Sequence, residues 1–195
     1  MTCIVGFTNG KTTWIGGDTL GSDGYSGSIN KFSKVFHSKD SKEIIMGYTT
    51  SFRMGQLLQC ALNLFNKDEI INNGIDFEYL ICNFIPKIQK LFSEGGFETT
   101  EKGQKETGEF LLAIKENLYR IQSDYSILQT VDNYNACGIG TKYALGALKA
   151  IENMDFTPIE RIHIALISAA KFAVGVSAPF YIVNTDNNDI IKFDN

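Results

Sequence analysis

The sequence is poor in the residues that most often hold metals. It has two histidines, His37 and His163, and four cysteines, Cys3, Cys60, Cys82 and Cys137, with no C-x-x-C pair among them. His163 stands in the apolar run Ile162-His163-Ile164-Ala165-Leu166, which suits a core or interface place better than metal ligation. A zinc site is therefore not expected, and the cysteines read as small buried hydrophobes of a reducing compartment. Basic runs are absent too. With a net charge of -4, nucleic acid is not an expected partner. The longest apolar stretch, around residues 162–182, is broken by Ser168, Lys171 and Pro179 and falls short of a membrane span. No basic segment precedes the first apolar run, and polar Thr8-Asn9-Gly10-Lys11 ends that run early, which argues against a signal peptide. These absences point to a soluble, cytoplasmic protein without a metal or cofactor.

What is present is ordinary globular material. Hydrophobic residues make up 44% of the 195 and charged residues 21%. That length suits one domain over residues 1–195, large enough to bury about 70% of its unfolded surface without a staple.

The hydrophobic period changes along the chain. Residues 2–7 and 12–17 read as a hairpin around Asn9-Gly10, a turn pair that tolerates positive φ. The Gly- and Ser-rich stretch 19–30 reads as a loop with at most short strands. Strands follow at 34–37 and 43–48. Phe52, Leu57, Leu58, Ala61, Leu62 and Phe65 recur at helical spacing, which predicts a helix over about 50–66. A second helix is predicted over 76–93, kinked or broken at Pro86. Residues 94–108 read as a solvated loop. Strands return at 109–115, 118–123, 126–131 and 134–140. Helices are predicted at 141–154 and 158–174, the latter opened by Thr157 as cap, Pro158 at the first position and Glu160 in the first turn. Strands at 180–184 and 189–193 end the order. Strands and helices in such segregated blocks indicate an α+β fold with a helical layer on each sheet.

Three residues carry the candidate chemistry. Thr2, freed by loss of Met1, would place an α-amino group beside a β-hydroxyl, and an amine with a reference pKa near ~8 can take the hydroxyl proton at neutral pH. Asp18 ends Gly16-Gly17-Asp18, and Lys34 opens a strand; singly, these are a turn aspartate and a surface lysine. Jointly they are more specific, because Asp18 lies sixteen positions beyond Thr2 and Lys34 thirty-two.

With the opening Thr2-Cys3-Ile4-Val5-Gly6, the Met46-Gly47-Tyr48 strand end and the later Gly138-Ile139-Gly140-Thr141-Lys142-Tyr143-Ala144, that spacing resembles the proteasome β subunits and the HslV peptidase of bacteria, which are N-terminal-nucleophile (Ntn) hydrolases. The resemblance runs over nearly the whole chain. It implies a four-layer αββα sandwich and a threonine-type endopeptidase in a self-compartmentalising homo-oligomeric ring. Protein or peptide substrates would be fed to it by an ATP-dependent unfoldase. It implies Thr2 as nucleophile, Lys34 lowering the proton affinity of the Thr2 amine, and Asp18 holding Lys34. Oxyanion donors would come from the backbone at Gly47, Thr49 or Thr50. Thr19, Leu20, Ser28 and Thr49 would lie near the nucleophile. Two departures stand out: Ile139 replaces the family's serine between two glycines, and Lys171 aligns with an aspartate in the last turn of the final long helix. They motivate a second reading, a non-catalytic structural or assembly subunit. A third, an Ntn amidohydrolase using Cys3, breaks the sixteen and thirty-two spacings.

Overall fold

In the computed structural model, which describes residues 1–65, 75–97, 99–101 and 104–194, the chain opens with the expected hairpin. Strand β1 is Cys3–Thr8 and β2 is Thr13–Asp18, with Ile4 opposite Gly17 and Thr8 opposite Thr13. A short hairpin follows, β3 Leu20–Ser22 and β4 Gly27–Ile29. Then come β5 Val35–His37 and β6 Ile44–Tyr48.

Helix α1 is Phe52–Cys60, capped by the Ser51 side chain, which accepts from the Arg53 N–H. It is shorter than predicted, because the chain turns extended at Ala61; residue 66 of the predicted helix lies outside the described residues. Helix α2 runs continuously in three stretches: Phe77–Tyr79, a π-helical Leu80–Phe84 and an α-helical Ile85–Glu94. Pro86 does not break it. The wider turn ahead of it, where the Ile85 N–H reaches Leu80 O, accommodates a residue that has no N–H to give. The predicted loop 94–108 contains a two-stranded sheet, β7 Thr99–Glu101 with β8 Gln104–Glu106; Glu98, Lys102 and Gly103 lie outside the described residues.

Strands β9 Phe110–Ile114, β10 Asn117–Ile121 and β11 Ile127–Leu128 follow, then β12 Tyr134–Gly138. The β11 strand is shorter than predicted, since only Arg120 and Ile121 offer it partners. Helix α3 is Thr141–Ala150, and α4 is Pro158–Phe172, opened by a full capping box between Thr157 and Glu160 as its sequence announces. Strands β13 Phe180–Asn184 and β14 Ile191–Phe193 end the chain.

The strands form two five-stranded antiparallel sheets, ordered β12-β1-β2-β13-β14 and β11-β10-β9-β6-β5. Because each sheet is covered on both faces, successive residues of a strand serve different cores. In β1, Cys3 and Val5 pack under α3 and α4, while Ile4 packs between the sheets. In β6, Ile44, Met46 and Tyr48 pack under α1 and α2, while Ile45 packs between the sheets. The result is four layers, αββα. This explains why these antiparallel strands read as continuous apolar runs rather than as alternation.

Two glycines bring the sheets together near the start of β1. A Cβ on Gly17 would stand 2.5 Å from Ile4 Cδ1, and one on Gly47 2.5 Å from Ile4 Cγ2. Ile4 therefore fills the space that both glycines vacate. The end of β2 and the end of β6 thereby converge on Thr2.

The cysteine expectation holds for half the set. Cys3 and Cys137 are buried, but Cys60 and Cys82 are exposed, one at the last position of α1 and the other in the π-helical stretch of α2. His163 is half-buried, with its ring stacked on Phe193 at 4.0 Å between centroids and edge-on to Phe180. Among the described residues no helix is long and apolar enough to cross a membrane.

Candidate active site

Thr2, Asp18 and Lys34 meet at the converging strand ends, and all three are buried, at 1%, 0% and 3% exposure. Lys34 Nζ donates to Thr2 Oγ1 at 2.6 Å, to Asp18 Oδ2 at 2.9 Å and to Leu20 O at 2.7 Å. Thr2 Oγ1 donates in turn to Asp18 Oδ1. The Asp18 carboxylate also accepts the backbone N–H of Cys3 and of Leu20, each at 3.0 Å. Both carboxylate oxygens are thus used twice, which is what a fully buried charge requires. Burial pushes the Lys34 ammonium below its ordinary pKa, and the neighbouring Asp18 charge opposes that shift.

Thr2 is held from its other side by the turn after β12. Gly138 adopts φ +95, and a Cβ there would stand 2.4 Å from Thr2 O. No side chain fits between that turn and Thr2, and the backbone conformation itself favours glycine. The Gly140 N–H reaches Thr2 O at 3.4 Å. Gly138 is therefore explained by contact with Thr2, and Gly140 by contact with Cys3 and Ala169, where a Cβ would stand 2.6 and 2.8 Å away.

Ile139 itself turns outward, 50% exposed, into a separate open groove shared with Tyr143, Phe172 and Val174. Lys171 is exposed on the last turn of α4. Neither side chain takes part in the hydrogen bonds around Thr2.

A cavity of about 60 Å³ opens beside the cluster, lined by Met1, Thr2, Leu20, Gly21, Ser22, Lys34 and, on the opposite wall, Tyr48 to Phe52. The opposite wall distinguishes the three candidate oxyanion donors. Gly47 lies inside the sheet, in register with Val35 on one side and Leu111 on the other. The Thr49 N–H donates to Glu109 O at 3.1 Å, and its hydroxyl to the same oxygen at 2.8 Å. Thr50 differs. It is exposed, and among the described residues no acceptor takes its N–H. Its φ is +67, an unfavourable backbone for a β-branched residue and a kind of strain that clusters at functional sites. Ser51 then starts α1, so the positive end of that helix lies on the same wall.

Of the loosely placed neighbours, Leu20 and Thr49 line the cavity. Thr19 is fully buried and spends its hydroxyl on Pro179 O at 3.1 Å, and Ser28 is exposed on β4. Sequence reasoning missed Phe52, the first residue of α1, whose ring closes one end of the cavity. Its helical spacing marked it as core, and nothing in that pattern announces a second role. Cys3 is fully buried, and burial, then the Asp18 charge, push its thiol far above the usual range. It is not positioned as a nucleophile.

No protein-family model matches the chain, and no curated protein sequence matches it. Solved structures match its fold over nearly its whole length. Thiobacillus denitrificans BPH, in complex with epoxomicin, superposes with a TM-score of 0.72 at 14% identity, covering 93% of this chain and 97% of that one. Eukaryotic HslV from Trypanosoma brucei gives 0.67 at 16% identity, covering 93% and 98%. An Anbu mutant from Hyphomicrobium sp. strain MC1 gives 0.65 at 14% identity, covering 100% and 88%. The fold is therefore the HslV-like, proteasome-like αββα sandwich of the Ntn hydrolases, as the sequence resemblance implied.

Proposed function

We propose that the chain is a single proteasome β-subunit-like domain acting as a threonine-type endopeptidase, with Thr2 as nucleophile after removal of Met1. The observation that carries this reading is the 2.6 Å contact between Lys34 Nζ and Thr2 Oγ1 inside a buried, fully paired cluster that opens onto a cavity. With Met1 attached, the Thr2 nitrogen is an amide and cannot accept a proton. Loss of Met1 turns it into an amine next to the hydroxyl.

Thr2 Oγ then attacks a peptide carbonyl carbon and its proton passes to that amine. The Lys34 ammonium stabilises the oxygen as it loses the proton, and Asp18 keeps Lys34 in place. The carbonyl oxygen becomes an oxyanion facing the Thr50 N–H. Collapse breaks the C–N bond, the leaving amine takes the proton, and water hydrolyses the Thr2 ester. The partners are protein or peptide substrates, further copies of the chain in a ring that confines proteolysis, and an ATP-dependent unfoldase, in the cytoplasm.

Mass spectrometry of the purified protein tests this. Loss of Met1 and addition of a β-lactone or an epoxyketone to Thr2 are expected; intact Met1 with no adduct would overturn the reading. The second reading, a non-catalytic structural or assembly subunit, rests on Ile139 and Lys171, which stand where the resembling family has a serine and an aspartate. On that reading Thr2→Ala leaves assembly and biological function unchanged.

A further inference from the structure

The cavity beside Thr2 is small, and one residue makes it so. Phe52 stands where β6 gives way to α1, and its ring projects back across the cleft. A Cβ on Gly21 would stand 2.8 Å from Phe52 Cε2, so the ring lies directly on β3. Its face lies 5.8 Å from Lys34 Nζ, the atom that touches Thr2 Oγ1. Behind it the Tyr48 ring packs edge-on at 6.4 Å. Tyr48 cannot retreat, because it already lies over Gly55 of α1, where a Cβ would stand 2.1 Å from the ring. Phe52 is thus backed by Tyr48, faced by Gly21 and one ammonium away from the nucleophile.

We infer that Phe52 restricts the site to substrates whose residue donating the scissile carbonyl has a small, uncharged side chain: glycine, alanine or serine. This rests on the peptidase reading above and adds a substrate class to it. The argument is one of volume and charge. About 60 Å³ is room for roughly two waters, whereas a cavity of about 150 Å³ is what holds a benzene ring. A benzyl or isobutyl side chain therefore exceeds the space, and a methyl or hydroxymethyl fits. The lining contains one charged side chain, Lys34, and no carboxylate, so nothing compensates a buried lysine or arginine. Ser22 and Ser51, whose hydroxyl oxygens accept the Gly24 and Arg53 backbone N–H, keep an O–H for a small polar group. Met1 is one of the lining residues, so its removal enlarges the cavity on that side, while the Phe52 contacts with Gly21, Lys34 and Tyr48 do not involve Met1.

The test uses the chain lacking Met1 and fluorogenic peptides identical except for the residue before the cleaved bond. Cleavage after alanine is expected at least ~10-fold faster in kcat/KM than after leucine or phenylalanine, in keeping with what one or two methylenes are worth in a closed pocket. Phe52→Ala should raise cleavage after leucine and phenylalanine by ~10-fold or more. Phe52→Val, which preserves more of the packing on Tyr48, should give a smaller rise in the same direction. Equal cleavage after alanine and leucine by the unmodified chain overturns the inference, as does an unchanged preference in both variants. Epoxyketone addition to Thr2 separates the two levels. An adduct with the wrong ranking overturns only the size restriction. No adduct and no cleavage of any peptide overturns the peptidase reading and the restriction with it.

Discussion

The two walls of the Thr2 cavity are built on opposite principles. On the Thr2 wall, three polar residues are buried to 3% exposure or less, and each is hydrogen-bonded to the others. On the Thr49–Ser51 wall, Thr50 is exposed and strained, and its N–H is one that no acceptor among the described residues takes. The first wall hides charge from water and therefore must pair it. The second leaves a dipole unpaired and therefore must keep it in contact with water. On the proposed reading, negative charge that develops between them during acyl transfer meets an ammonium on one side and a waiting donor on the other.

That contrast can be tested from both sides. The largest effect is expected from Thr2→Ala. Turnover and inhibitor adduct should fall by about 10³-fold or more, with about 1–3 kcal/mol of stability lost in urea because Asp18 and Lys34 each lose a partner. Lys34→Met comes next. It leaves a fully buried Asp18 without its cation and should cost about 3–5 kcal/mol of stability, read by the same urea titration. A loss under about 1 kcal/mol would mean that the first wall is not held by its ion pair.

Thr50→Gly should act oppositely, because glycine adopts φ +67 without strain. About 1 kcal/mol of added stability with inhibitor addition retained is expected; lower stability would contradict the strain assigned to the second wall. The smallest effect is one of pH. The folded-state pKa of Lys34 lies below its ordinary 10.5. Between those two values the unfolded chain holds a proton that the folded chain lacks, so Lys34 makes stability rise with pH across that window. As pH rises toward the ordinary lysine value, the parent should gain stability relative to Lys34→Met. A relative loss would show that the Asp18 charge outweighs burial.

The element order was legible in the residue pattern because each element carries its own period or cap. The capping box of α4 and the Asn9-Gly10 turn are local, and they formed as written. The meeting of Thr2, Asp18 and Lys34 was legible only through the family resemblance: Asp18 ends the hairpin mate of β1, but Lys34 precedes β5, a strand of the other sheet, and spacing alone does not bring it there. The π-helical turn before Pro86 was not legible. A proline signals a missing N–H but not how neighbouring turns will absorb it. The short hairpin β7–β8 was hidden for a different reason: its polar residues lack the apolar alternation that marks a strand.

The site's second wall illustrates the same division. Gly47, Thr49 and Thr50 are equivalent as letters, and a sequence cannot say which N–H is spent. Pairing across the sheet decided it, by engaging Thr49 with Glu109 and placing Gly47 between two strands. Ile139 and Lys171 are unusual letters for the resembling family, yet their side chains face solvent. Local pattern was enough for the α+β class and the strand and helix order, and the resemblance added the three residues that converge. Which donor stays free, where Ile139 and Lys171 point and how much room Phe52 leaves were settled by long-range packing. The physical reason is that backbone pairing, side-chain direction and cavity volume depend on neighbours far away in the chain.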